Sequence, residues 1–200
     1  MKRMIKETVL CILALVTASS CVKEKLETTY KKQETQIDSY LSRNNTARRD
    51  STIINEDGTT RDTTWTDTLK IVYNGGVARL VKTKGHGPEL SSHGAVSFYY
   101  AGYTFSGSIN KAGLFVTNHQ QTAESNGLNL TDPDYSLYEI NMSETELIKG
   151  LHFGMIGVKA GEECEILFNG KDAFGNSTFG MIPANSALAF QIWVVSVSND

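Results

Sequence analysis

From Ile71 to the C-terminus, glycines break the sequence at short intervals, and the runs between them are rich in branched and aromatic residues, the composition of short strands. Val77–Lys82, Ala95–Tyr100, Leu137–Met142, Cys164–Phe168 and Ala187–Val197 are expected as strands. One stretch among them has helical spacing. From Glu146 to Ile156, the residues Leu147, Leu151 and Met155 recur at i, i+4 and i+8 with Ile148 beside them, which makes one apolar face. Runs of strands around a single helix predict an α+β domain in which an antiparallel sheet wraps that helix. The last run fits this arrangement: Leu188, Phe190, Ile192 and Val194 share one face as a core row, and Ala189, Gln191, Trp193 and Val195 take the other.

Upstream the texture differs. The first twenty residues are organised as a secretory leader, with basic Lys2, Arg3 and Lys6, an apolar run from Val9 to Val16, and small residues from Thr17 to Ser20. The apolar run is about half of the roughly 20 residues that a spanning helix needs. Ala18-Ser19-Ser20-Cys21 resembles a bacterial lipobox, which implies diacylation of Cys21 and stable anchoring by two acyl chains. Ordinary cleavage that leaves Cys21 unmodified is the alternative. The expected location is the cell envelope, as an outer-membrane lipoprotein facing the periplasm or the surface, with the lipid as the only membrane contact. Between residues 21 and 70 a polar spacer is expected, with an amphipathic helix near 26–42 carrying Tyr30, Ile37, Tyr40 and Leu41. Residues 46 to 70, dense in Thr, Asp and Arg with an Asp57-Gly58 turn, read as a linker or peripheral hairpin. The folded domain is expected over 71–200.

Composition removes several function classes. The 200 residues carry a net charge of −3, and loss of the leader, with three basic side chains and one acidic, takes it to −5. No basic face remains that would hold nucleic acid. With Cys11 in the leader and Cys21 at the lipid site, Cys164 is the one internal cysteine, expected buried and inert in its strand. His86, His93, His119 and His152 show no metal-ligand spacing, and no Gly-x-Ser-x-Gly elbow or phosphate loop occurs. An enzyme built from these residues works without nucleophile, metal or cofactor.

A pattern in the second half fits such an enzyme. Leu147-Ile148-Lys149-Gly150-Leu151, Gly154-Met155, Gly161-Glu162, Lys171-Asp172-Ala173-Phe174-Gly175 and Met181-Ile182-Pro183-Ala184-Asn185-Ser186-Ala187-Leu188-Ala189-Phe190 resemble, in order and spacing, the FKBP family of peptidyl-prolyl cis/trans isomerases. Gly85-His86-Gly87-Pro88, Ala95 to Gly102, Gly113 to Asn118 and Tyr138 to Met142 extend the resemblance over about residues 77–198, with a longer loop at 111–134. It implies an FKBP-like curved antiparallel sheet around one short helix, and proline-containing polypeptides as clients. Carried over residue by residue, the resemblance implies that Tyr100, Phe115, Ile148 and Phe174 serve catalysis, the Ile148 backbone N–H being the donor to bound peptide. It implies that Tyr138, Leu147, Leu151, Met181, Ile182 and Phe190 bind substrate.

Apolar residues suffice because the prolyl bond is held by amide resonance, a barrier of roughly 18–20 kcal/mol, and a dry pocket favours the less charge-separated twisted form. Three positions depart from the family pattern: Val116 stands for its pocket aspartate, Phe174 for its ligand-contacting tyrosine and Leu151 for its floor tryptophan. Val116 and Phe174 each remove a polar partner worth on the order of 1 kcal/mol, so reduced turnover is expected. Three readings follow: an isomerase for exported proteins, a degenerate peptide-binding or chaperone module of the same fold, and a structural lipoprotein whose pocket is blocked by its own 111–134 loop.

Overall fold

The structure, a computed structural model, describes residues 2–54, 59–127 and 134–199, with side chains described from residue 23 onward, Ile53 excepted. The Asp57-Gly58 turn, part of the 111–134 loop and, as side chains, the leader and Cys21 lie outside the described residues. The chain begins with helix α1 (Lys2–Asn44) and a two-stranded hairpin, β1 (Thr46–Ile54) and β2 (Thr60–Thr68). Among the described residues no helix is long and apolar enough to cross a membrane. Across the hairpin, the Thr64 hydroxyl donates to Asp50 at 2.6 Å and the Thr52 hydroxyl donates to Asp62 at 2.7 Å. The Thr/Asp density of this stretch thus serves cross-strand pairing.

The main sheet comprises β3 (Lys70–Asn74), β4 (Val77–Thr83), β5 (Ala95–Phe105), β6 (Leu114–Thr117), β7 (Tyr138–Asn141), β8 (Glu163–Phe168) and β9 (Ala187–Ser198). Its order is β3-β4-β8-β9-β5-β6, and β7 also pairs with β5. All pairings are antiparallel. Among the described residues two short α-helices, α2 (Gln120–Asn126) in the long loop and α3 (Lys149–Met155) on the concave face, and one 3-10 turn at Lys111–Gly113 complete the fold. The five expected strands are present, and the α+β arrangement of an antiparallel sheet around one short helix holds. Helix α3 starts at Lys149 rather than Glu146, because Ile148 takes an extended backbone (ψ 140°) and leaves Leu147 outside the helix.

The sheet is buried on both sides, which gives two cores. On the concave face Phe98, Ile166, Phe168, Leu188, Phe190 and Ile192 pack under Leu151 and Met155 of α3. Helix and sheet approach so closely that a Cβ on Gly150 would lie 2.2 Å from the Phe168 ring and one on Gly154 2.2 Å from Ile166 Cγ2. On the convex face Ile37, Tyr40 and Leu41 of α1 cover Ala78, Leu80, Phe105, Leu167, Ala187 and Ala189. Strand β8, which sequence alternation describes as half-buried, is therefore enclosed on both faces: Cys164, Ile166 and Phe168 point to one core and Leu167 to the other. Glu165 is tolerated there because the Tyr40 hydroxyl donates to it at 2.9 Å and Lys82 lies 3.3 Å away. Burial and the Glu165 charge together push the Tyr40 phenol far up.

Arg79 of β4 anchors the far end of α3. Its guanidinium donates to the carbonyls of Gly154 (2.8 Å), Ile156 (2.8 Å) and Gly157 (3.1 Å), the unpaired acceptors at a helix C-terminus. Its Nε faces Glu162 at 3.3 Å, and both side chains are buried.

Candidate functional site

Strand β5 organises the site because its outer edge changes partner half-way. Ala95–Phe98 pair with β7, and Ala101–Tyr103 pair with β6, so Tyr99 and Tyr100 have no strand on that side. The gap is filled by the turn after β6. The Tyr100 N–H donates to Asn118 Oδ1 at 2.6 Å, while the Tyr100 carbonyl accepts from the Thr117 hydroxyl at 2.7 Å and the Asn118 N–H at 3.2 Å. Asn118, buried, donates through Nδ2 to the Ser136 carbonyl at 2.9 Å and so ties this turn to the segment entering β7.

Aromatic rings converge on the concave face beside this gap. Phe98, Tyr100 and Tyr138 form a triangle with centroids 5.5–6.0 Å apart. Phe190 of β9 stacks on Phe168 at 6.1 Å and meets the edge of Phe115 at 5.9 Å. A Cβ on Gly102 would sit 2.8 Å from Phe115 and 2.9 Å from Phe190, so only glycine lets both rings lie across β5 at this point. Leu151 from α3 and Ile182 are buried in the same cluster, with Leu147, Ile148 and Phe174 half-buried against it. Of the positions named from the sequence, Tyr100, Phe115, Leu147, Ile148, Leu151, Phe174, Ile182 and Phe190 are thus gathered at one apolar cluster. Tyr138 joins through its ring contacts and is 41% exposed, at the rim. Met181 stands apart, 78% exposed at the tip of a tight turn in which Phe179 and Ile182 exchange both backbone hydrogen bonds (3.0 and 2.9 Å).

The polar part of the cluster is sparse. Ile148 is the N-cap of α3, and its N–H has no acceptor among the described residues, whereas its carbonyl accepts from His152 at 3.0 Å. Unpaired N–H groups at a helix start are ready donors to a carbonyl oxygen. The Gly150 N–H is taken by the Asp172 carbonyl at 2.7 Å, and Lys149 pairs with the Asp172 carboxylate at 2.5 Å, so the 169–172 turn is docked onto the start of α3. Phe174 follows that turn and stacks on Phe179, centroids 4.6 Å apart and rings 6° from parallel. The Tyr100 hydroxyl has no hydrogen-bond partner among the described residues. Its pKa is raised, first by burial and then by the charges of Tyr138 and Asp134. Asp134, exposed at the rim and held ionised by the Ser136 hydroxyl and N–H, is a carboxylate near Tyr100 that sequence reasoning missed. It lies sixteen positions after Asn118, across the long loop, and no local pattern marks it.

Below the edge of the site, His119 stacks on Trp193 of β9, centroids 3.9 Å apart, with Nδ1 2.8 Å from the Thr122 hydroxyl. Burial lowers its pKa, partly offset by Glu163. Cys164 is fully buried, and its thiol is pushed well up, as an inert core residue should be. Among the described residues no cluster of three or more His, Cys, Asp or Glu forms a metal site.

Comparison with known proteins agrees with this geometry. The family described as FKBP-type peptidyl-prolyl cis-trans isomerase matches residues 95–195, from the start of β5 into β9. FK506-binding protein 1 of Aspergillus oryzae is 26% identical over 123 residues, which is 62% of this chain and 99% of that protein. Among solved structures, a peptidyl-prolyl cis-trans isomerase from Pseudomonas syringae pv. tomato is similar over 86% of this chain and 96% of its own, with TM-score 0.51 and 16% identity. The three FKBP domains of a wheat protein are similar over 68% of this chain and 52% of theirs, with TM-score 0.51 and 18% identity. At these identities the two structures speak for the fold, and the family match speaks for descent: the chain belongs to the FKBP-type peptidyl-prolyl cis-trans isomerase family.

Proposed function

We propose that this chain catalyses cis/trans isomerisation of X-Pro bonds in exported polypeptides, at a rate reduced by two missing polar contacts, and that it is held at the envelope through a lipid on Cys21. The observation that carries the reading is the aromatic cluster in which Phe190 meets the edge of Phe115 and stacks on the buried Phe168, with Ile148, whose N–H has no acceptor among the described residues, packed against it. In this reading a pyrrolidine ring packs against Phe115 and Phe190 and sheds water, and its preceding carbonyl meets the Ile148 amide. Loss of water disfavours the charge-separated planar amide, and the donor orients the acyl oxygen as the bond turns. Uncatalysed, this step takes tens to hundreds of seconds, so modest acceleration matters to a folding chain.

Phe174 supplies no hydroxyl and Val116 no carboxylate at positions where the family pattern has them. At about 1 kcal/mol for each lost hydrogen bond, their combined absence costs on the order of thirtyfold in rate. These two residues also favour a second reading, a pocket that binds proline peptides without turning them over. Proline-peptide exchange followed by NMR on residues 22–200 separates the two. Cross-peaks between cis and trans forms that grow with protein concentration support catalysis, and binding shifts without exchange favour the second reading. The anchor is tested by radiolabelled palmitate: incorporation that vanishes in Cys21→Ala supports it, and an unlabelled wild-type chain removes it.

A further inference from the structure

The segment from Gly170 to Asn185 carries Ile182 and Phe174, which pack in the apolar cluster, and Phe179, which stacks on Phe174, and both of its ends rest on α1. The Gln33 side chain bridges them: Oε1 accepts from the Gly170 N–H at 2.9 Å, and Nε2 donates to the Asn185 carbonyl at 2.7 Å. Neighbouring α1 side chains reinforce each end. The Tyr30 hydroxyl donates to Asn185 Oδ1 at 2.6 Å, and Asn169 Nδ2 donates to Glu34 at 2.8 Å. The two ends are in contact with each other, since a Cβ on Gly170 would lie 2.5 Å from the Asn185 carbonyl oxygen. Inside the segment, the Gly175 N–H donates to the Gly170 carbonyl at 2.9 Å and the Asn185 N–H donates to the Gly175 carbonyl at 2.6 Å. Asn185 holds a left-handed backbone (φ 60°), a conformation that needs its surroundings to maintain it. The same turn continues into Asp172, whose carbonyl and carboxylate hold Gly150 and Lys149 at the start of α3, next to the Ile148 donor. One amide on α1 therefore fixes the base from which both Phe174 and the α3 donor end are placed.

We infer that Gln33 is a positioning residue of the isomerase pocket, acting through Gly170 and Asn185, and that α1 is a working part of the site. The inference rests on the isomerase reading above. Of the charged and titratable groups nearby, Tyr30 bonds Asn185 and Glu34 bonds Asn169 at the bridge, Lys171 and Asp172 follow Gly170 in the chain, and Lys149 of α3 pairs with Asp172. They remain in every variant, so ratios to wild type isolate position 33.

The test compares wild type, Gln33→Ala and Gln33→Glu as full-length chains, using a protease-free exchange assay on an Ala-Leu-Pro-Phe anilide between pH 4 and pH 8. Loss of two hydrogen bonds predicts a five- to tenfold fall in kcat/KM for Gln33→Ala, on the order expected for contacts of this kind. Circular dichroism and thermal midpoints report whether the variant is folded at the assay temperature. In Gln33→Glu the carboxylate still accepts from Gly170, but its second oxygen opposes the Asn185 carbonyl. Only the protonated acid restores that donor. Its kcat/KM relative to wild type should therefore be low at pH 8 and recover as the pH falls through the carboxyl pKa, a profile that loss of packing does not produce. Unchanged kcat/KM in a folded Gln33→Ala, or a pH-independent ratio for Gln33→Glu, overturns the inference. If wild type itself shows no exchange, the isomerase reading fails instead, and the affinity of the same peptide decides: weaker binding to Gln33→Ala supports the positioning role, and equal binding overturns it.

Discussion

Replacing Arg79 by methionine keeps the aliphatic stem and removes the charge, and its effect can be worked out from the contacts. Three carbonyls at the end of α3 lose their donor, and Glu162, within the same buried pair, is left without its counter-charge. Breaking a buried pair from one side costs about 3–5 kcal/mol, because the remaining ion must stay desolvated. For a domain of this size that corresponds to a fall in Tm of roughly 10–20 °C. The loss should depend on pH in a defined direction. Burial already raises the Glu162 carboxyl above its ordinary 4.5, in spite of Arg79. A raised carboxyl pKa in the folded state contributes stability that is full below the unfolded value and is lost as pH rises through the folded one. Without Arg79 the folded pKa rises further, so the deficit is largest at neutral pH and narrows on acidification toward 4.5. Urea unfolding of wild type, Arg79→Met and the double variant with Glu162→Gln, at pH 7.5 and pH 5, measures each part. The double variant should recover much of the loss. A neutral-pH cost below about 1 kcal/mol, the range of exposed pairs, would refute the reasoning.

Other expectations are more local. Gly102→Ala forces the Phe115 and Phe190 rings apart, with a cost of about 1–3 kcal/mol in urea unfolding and weaker proline-peptide binding; unchanged affinity would mean that these rings do not shape the pocket. Phe174→Tyr should raise kcat/KM about fivefold, the equivalent of one regained hydrogen bond, and no gain would detach Phe174 from turnover. With Trp65 replaced by phenylalanine, Trp193 is the only tryptophan, and its fluorescence should drop as His119 becomes a cation beside it. Because the folded His119 pKa is lowered from 6.5, the associated stability is present above 6.5 and is lost as pH falls through the lowered value. A quenching midpoint above 6.5, or the same midpoint in His119→Gln, would contradict this.

Much of the domain was legible because its signals are local. Period-2 runs gave the β4, β5, β8 and β9 strands, and the glycine-separated motifs gave the family and most of the residues that the fold gathers in one apolar cluster. What was not legible depends on partners far away in the chain. The spacing of Ile37, Tyr40 and Leu41 announces a helix, but its partner face is assembled from Ala78, Leu80, Leu167, Ala187 and Ala189 on three strands. The opposite parity of β8 and β9 carried a hint, since Leu167 and Ala189 are apolar where a one-sided sheet would be polar. Leu147 fits the helical period, but the chain enters α3 only after the extended Ile148. Met181 and Ile182 are adjacent and both apolar, and a tight turn sends one outward and the other into the core. Asp134 and Gln33 reach the site from outside the motifs, and no spacing rule would have linked them to Tyr100 or Asn185.

Because α1 covers the convex face, the folding unit does not start where the family match starts, at residue 95. A product cut after Asn45 would bare Leu80, Leu167, Ala187 and Ala189, all at most 1% exposed in the whole chain, as one sticky patch prone to self-association. The packed helix is also a stiff handle rather than a leash. Whatever grips the chain ahead of Tyr30 sets the direction in which the pocket faces.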